Sequence, residues 1–167
     1  KNHATVIRAL QLLREGGRPV QVLATGLTSD YRNPGHFEAL MAQARAAGVD
    51  SDFRVLGVVP FPHMLGLMRS AVAVVNPSLF EGWSTTVEEV RRLGARAILS
   101  DIGVHREQAV TGARYFPAED AEALAMLLRE ALEAPWEAGA GTAGPQAFRA
   151  FGEAYRAILL DLLGGDR

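Results

Sequence analysis

The chain is 167 residues long, 49% hydrophobic and 22% charged, a composition that excludes a disordered chain and fits one domain able to bury its own core. A formal net charge of −2, with no arginine-rich, aromatic-studded segment, excludes a non-specific nucleic-acid binder, because neutralising phosphates needs a concentrated basic face. The lack of cysteine excludes a disulfide framework and a thiolate metal site while permitting a reducing compartment, and no apolar run approaches the roughly 20 residues that a membrane-spanning helix needs.

The chain opens at Lys1-Asn2-His3 with neither an initiator methionine nor a signal peptide, and reads as a fragment or a processed piece. Ala4 to Glu15 places Val6, Ile7, Leu10 and Leu13 at helical spacing, stopped by Gly16-Gly17. Pro19 to Gly26 reads as a strand ending in Ala24-Thr25-Gly26, and the polar, turn-rich stretch 28–35 as a surface loop. A helix is predicted over Phe37 to Ala47, with Phe37, Leu40, Met41 and Ala44 facing inward and Gly48 as its stop. Phe53 to Val59 is predicted as the second strand, after which Pro60 and Pro62 break the chain before a short helix, His63 to Ser70. The apolar run Ala71 to Val75 reads as a buried strand, and Val87 to Leu93 as a helix. Ala97 to Leu99 is a short strand, Val104 to Val110 a short helix, Arg114 to Phe116 the last strand and Ala121 to Leu132 an amphipathic helix.

This alternation predicts an α/β fold: a Rossmann-like, doubly wound parallel β-sheet with helices on both faces. The core is expected over residues 1–133, an Ala/Gly/Pro-rich linker over 134–145 and a final helix over 146–167. A doubly wound half normally begins on a central strand. This chain begins on a helix, so if a strand precedes Lys1 it falls outside this sequence.

The chain is organised around Asn76 to Glu89, the crossover from a buried strand into a helix. In an open α/β sheet ligands collect at the carboxyl ends of the strands, where such a loop sits. Ser84-Thr85-Thr86 brings hydroxyls and free backbone N–H groups to a helix start, which suits an anion. Glu81 and Glu89 bracket it, although Thr86-x-x-Glu89 and Thr85-x-x-Glu88 are also capping boxes that give Glu88 and Glu89 a purely structural use. No Gly-x-Gly-x-x-Gly turn follows a first strand, which argues against a dinucleotide-binding oxidoreductase. There is no Asp-x-Asp cluster for a metal, and His3, His36, His63 and His105 form no ligand-like group, so surface or capping roles are expected for them.

From Lys1 to about Leu132 the chain resembles the C-terminal, donor-binding half of a retaining glycosyltransferase of the GT-B fold, family 4, also called glycosyl transferases group 1. The motifs that carry the resemblance run in order: Lys1-Asn2-His3, Thr25-Gly26, Leu56-Gly57-Val58-Val59-Pro60, Pro77-Ser78-Leu79-Phe80-Glu81-Gly82-Trp83, the E-x7-E spacing of Glu81 and Glu89, and Leu99-Ser100-Asp101-Ile102 before Arg106-Glu107. The resemblance implies that Glu81 faces the donor sugar and that Glu89 accepts the ribose hydroxyls. It places Ser84, Thr85, Thr86 and Gly82 around the diphosphate, Lys1 as its point cation, Trp83 on the sugar pocket, and Thr25, Gly26 and Val59 near the nucleotide. For Trp83 a packing anchor, and for Val59 a core position, remain the plain alternatives.

It further implies a UDP- or GDP-linked sugar donor, no cofactor, metal-independent transfer with retention of configuration, and an N-terminal acceptor-binding domain without which this piece is inactive. A cytoplasmic location is implied, with peripheral contact at the inner membrane face through that other domain, in polysaccharide biosynthesis. The family's arginine, a few residues upstream of its lysine, has no counterpart in the sequence. The readings kept beside this one are a catalytically silent assembly module of the same fold and a nucleotide-sugar epimerase.

Overall fold

The computed structural model describes residues 1–29, 31, 33–137, 139 and 153. Eleven elements alternate along it: α1 (His3–Glu15), β1 (Val22–Thr25), α2 (His36–Ala46), β2 (Phe53–Gly57), α3 (Phe61–Ser70), β3 (Val74–Asn76), α4 (Thr85–Leu93), β4 (Ala97–Ser100), α5 (Gly103–Glu107), β5 (Arg114–Phe116) and α6 (Ala121–Glu133). The expected helix over 146–167 and most of the expected linker over 134–145 lie outside the described residues.

All strand pairs are parallel: β1 with β2, β3 with β4, and β4 with β5. The α/β class and its parallel, helix-flanked strands are therefore as the alternation predicts. The ladder, however, is interrupted. Among the described residues the strands form one sheet ordered β1-β2 and another ordered β3-β4-β5, with no bonds between β1 and β3.

Packing across this break holds the two ladders together. Val6, Ile7, Leu10 and Leu13 of α1 and Leu124, Leu127 and Leu128 of α6 bury against Phe53 of β2, Ile98 of β4 and Phe116 of β5 in one cluster. On the other face Val87 and Val90 of α4 pack on Ala97 and Leu99 of β4. Every residue of β4 is buried, as a strand covered on both faces requires. Deleting a fully buried side chain here, as in Ile98→Ala, removes about 2–5 kcal/mol.

Several boundaries differ from the sequence reading, each for a local reason. The third strand is confined to Val74–Asn76, because the α3 helix runs to Ser70 and Ala71 caps it in an extended conformation. The second strand stops at Gly57, whose φ of 70° turns the chain, so Val59 lies beyond it. The α5 helix ends at Glu107 rather than Val110, since Ala109 has a φ of 45° and cannot continue it. The α4 helix begins two residues before Val87, at Thr85, with Ser84 as its N-cap. Gly94, at a φ of 63°, closes it, and the Ala95 N–H reaches back to the Val90 carbonyl at 3.1 Å.

Candidate functional site

The site is built at the carboxyl ends of the strands. The β3 strand ends on Asn76, and the loop from Pro77 leads to the N-cap Ser84. Asn76, Ser78, Ser84 and Ser100 are all buried, so each polar group must find a partner or cost about 1–3 kcal/mol. They find one another. The Asn76 amide donates to Ser84 Oγ at 2.8 Å, and Ser100 Oγ donates to the Ser78 carbonyl at 2.5 Å. Ser78 Oγ lies 2.6 Å from Glu81 Oε1 and 2.8 Å from Asn76 Oδ1. Its single proton goes to the carboxylate, the nearer and charged acceptor.

Lys1 completes this arrangement. Its ammonium pairs with Glu81 and also lies 3.5 Å from Asn76 Oδ1. Burial pushes the Glu81 carboxyl up, but the Lys1 ammonium and the Ser78 hydroxyl outweigh it and hold the group below its ordinary value. Glu81 is thus a carboxylate fixed by two partners and held toward its ionised form, in the loop that follows β3.

The first turn of α4 divides into occupied and open donors. Ser84 Oγ accepts from the Val87 N–H at 3.4 Å. The Ser84 N–H in turn meets Gln108 Oε1 at 3.4 Å, and Gln108 Nε2 donates to the Ser84 carbonyl at 2.8 Å. A buried side-chain amide therefore pairs with a backbone amide and clamps the helix start to the segment after α5. The amides of Thr85 and Thr86 have no acceptor among the described residues and are the orphan donors of the helix start.

Neither capping box forms, because the cap is Ser84. Glu88 is bound instead to Arg91 at 2.5 Å and Gln108 at 3.1 Å. Glu89 makes no hydrogen bond to any described residue. It is half-buried, and burial raises its carboxyl above the ordinary value, against a weaker opposing pull from Arg92. It follows Thr86 by three residues, on the same side of the helix.

The other expected site residues take varied places. Thr25, Thr86, Lys1, Asn76 and Pro77 line a common cavity of about 600 Å3. Gly26 follows β1 and donates its N–H to the Gly57 carbonyl at 2.9 Å, while Val59 is half-buried and does not line that cavity. Gly82 is exposed, and Trp83 is 51% exposed beside exposed Leu79 and Phe80. Trp83 is therefore no buried anchor.

Among the histidines the expectation fails for His105, which is fully buried. Its Nδ1 donates to the Ser100 carbonyl at 2.8 Å, and its Nε2 has no partner among the described residues. Asp101 and Arg106 form a two-pronged ion pair at 2.7 and 2.9 Å, with the guanidinium 3.8 Å above the Tyr115 ring. Sequence reasoning missed Gln108 and gave no role to Asn76, Ser78 or Ser100. The one sequence signal for Asn76 is a polar residue directly after the Val74-Val75 run.

Among the described residues no group of three or more His, Asp or Glu side chains is arranged to hold a metal ion, and no helix is long and apolar enough to cross a membrane.

Parallel strands under helices, with a polar loop and a helix start at their carboxyl ends, define a Rossmann-like α/β domain. The sequence profile of the glycosyl transferases group 1 family matches residues 1–134, and the chain belongs to that family. Among solved structures, a glycosyltransferase from Rickettsia africae ESF-5 superposes with a TM-score of 0.68 at 19% identity, over 79% of this chain and 34% of that one. The likeness is one of fold, and this chain spans about a third of the length of that protein. No curated protein matches the sequence.

Proposed function

We propose that the domain binds the nucleotide diphosphate sugar donor of a retaining glycosyltransferase, with a UDP- or GDP-linked sugar as substrate. The observation that carries this reading is Glu89, a half-buried carboxylate with no hydrogen-bond donor among the described residues, on the helix whose first-turn Thr85 and Thr86 amides have no acceptor among them. An unpaired carboxylate at partial burial is costly unless a ligand completes it. The vicinal hydroxyls of a ribose are such a ligand, each charge-assisted hydrogen bond contributing about 1.5–3 kcal/mol.

In this arrangement the diphosphate sits at the positive end of α4, on the Thr85 and Thr86 amides, with Ser84 and Gly82 shaping the loop. Lys1 leaves Glu81 for the diphosphate, and Glu81 turns to the hydroxyls of the transferred sugar beside Trp83. Thr25, Gly26 and Val59, at the ends of β1 and β2, border the nucleotide. During transfer the bond from the anomeric carbon to the phosphate oxygen breaks and a bond to the acceptor oxygen forms, the acceptor's proton passing to the leaving diphosphate. Charge on that leaving group is met by fixed amide dipoles and Lys1, in keeping with a sequence that lacks an Asp-x-Asp cluster. The acceptor is held by an N-terminal domain of the full protein, which is cytoplasmic and touches the membrane only through that domain.

The test is calorimetric titration of the full-length protein with UDP, GDP and their sugar conjugates, beside Glu89→Ala. Saturable binding of one nucleotide, weakened about ten-fold or more by the substitution, supports the reading. Failure of every nucleotide to bind overturns it.

A further inference from the structure

His105 is the fully buried histidine of the chain, and it belongs neither to the loop nor to the α4 helix of the candidate site. It sits in α5, where its carbonyl accepts from the Tyr115 hydroxyl at 3.4 Å. One end of its ring is used and the other is not. Nδ1 lies 2.8 Å from the Ser100 carbonyl, which can only accept, so Nδ1 carries a proton. Nε2 is buried with no partner among the described residues. A leucine would pack there without stranding a nitrogen, so the use of the ring lies at Nδ1.

The Nδ1 proton fixes the next bond. Ser100 Oγ is 3.3 Å from Nδ1 and 2.5 Å from the Ser78 carbonyl. Between a nitrogen that already carries a proton and a carbonyl that can only accept, the single hydroxyl proton goes to Ser78. This bond crosses from the end of β4 to the loop after β3, and it holds the backbone of the residue whose own hydroxyl donates to Glu81 Oε1 at 2.6 Å. His105, Ser100 and Ser78 are all buried, so bulk water does not replace a broken link. The far end of the loop is held from the same side, through Gln108 and the Ser84 carbonyl at 2.8 Å. One short stretch, 105–108, thus pins the loop near both ends.

In the proposed donor complex Lys1 leaves Glu81 for the diphosphate. Ser78 is then the remaining hydrogen-bond partner of Glu81 among the described residues. We propose that His105 is a positioning residue for Glu81, acting through Ser100 and Ser78 to hold the carboxylate against the transferred sugar once Lys1 has moved; this rests on the donor-binding reading and deepens it.

Two readouts on the full-length protein test it: the 13C carboxyl titration of Glu81, identified by its loss in Glu81→Gln, and hydrolysis of UDP-glucose or GDP-mannose with water as acceptor. Asparagine places an amide donor where Nδ1 stands, whereas glutamine places it nearer Nε2. His105→Asn is expected to keep the wild-type titration midpoint and kcat within about three-fold. In His105→Gln and in Ser100→Ala the midpoint should rise, as Glu81 loses its donor, and kcat should fall about 10-fold or more with the donor KM within a few-fold, as a displaced group brings. The two substitutions combined should lose no more than Ser100→Ala alone, because they break one chain of bonds. Equal losses in His105→Asn and His105→Gln overturn the proposal, as does a folded His105→Gln with the wild-type midpoint and kcat. Where His105→Gln fails to fold, Ser100→Ala decides, since it leaves the imidazole its bond to the Ser100 carbonyl; an unmoved midpoint overturns the proposal. Calorimetric titration separates the two failures. A wild-type protein that binds neither UDP nor GDP overturns the donor reading and the role of His105 with it, whereas binding with an unmoved midpoint overturns the role of His105 alone.

Discussion

Glu81 and Glu89 belong to one short stretch, yet the loop and the helix treat them in opposite ways. The loop surrounds Glu81 with Lys1 and Ser78 and holds it below its ordinary value. The helix gives Glu89 partial burial and no donor among the described residues, and burial raises it. The loop carboxylate is held by two partners, whereas the helix carboxylate, on the proposed function, is completed by the ligand. Organisation in advance suits a group that meets charge as it develops, and an open valence suits one that recognises a hydroxyl pair.

The sharpest way to break this contrast is Glu81→Gln in the full-length enzyme. Transfer should fall by about 10^3-fold with donor affinity within a few-fold of wild type, read from kcat against nucleotide titration. Next in size, Asn76→Ala should lower stability by about 1–3 kcal/mol in urea unfolding, since it takes the amide donor from the buried Ser84 hydroxyl.

Glu89→Ala is expected to weaken nucleotide binding by about ten-fold or more, roughly 1.4 kcal/mol, without lowering Tm. Among the described residues its carboxylate makes no hydrogen bond for the unliganded fold to lose. The contrast also has a pH signature. Binding through Glu89 needs the ionised form, so affinity should fall as pH drops through its value, which lies above the ordinary 4.5. The folded, unliganded protein holds that proton more tightly than the unfolded chain, so this group opposes folding above its raised value and ceases to do so as pH falls through it. Glu89→Gln should flatten the acid limb of binding, measured by titration across pH. The smallest effect is expected of Glu88→Ala, a change within about 0.5 kcal/mol in stability and little in affinity, because Glu88 is spent on an i,i+3 pair with Arg91.

Much of the fold was legible because periodicity reports burial. The last strand is Arg114–Phe116 as predicted, and α6 differs from its predicted span by one residue at its end. Elements whose limits depend on a single backbone angle, such as α5 at Ala109, were not legible. The motif stretch was legible as a strand-to-helix crossover with its two acids, but its cap was not. Two capping boxes competed on paper, and a tertiary bond from Asn76 to Ser84 selected neither. Gln108 and Ser100 reach the loop across 24 and 22 residues of sequence, a separation at which no local pattern signals contact. The break between β1 and β3 escaped for a related reason: alternation identifies strands and says nothing of which edges meet.

Under the proposed function, the contact between Lys1 and Glu81 also makes the protein its own competitive inhibitor. In the unliganded state the cation proposed for the diphosphate and the carboxylate proposed for the sugar satisfy each other. A donor must therefore displace an internal ligand at both ends, and its apparent affinity is the intrinsic one scaled by the fraction of molecules in which that pair is open. Added salt acts on both sides of this exchange, screening the pair at 44% and 17% side-chain exposure as well as the incoming anion. Donor binding should accordingly respond to ionic strength less steeply than the charge of a diphosphate alone implies.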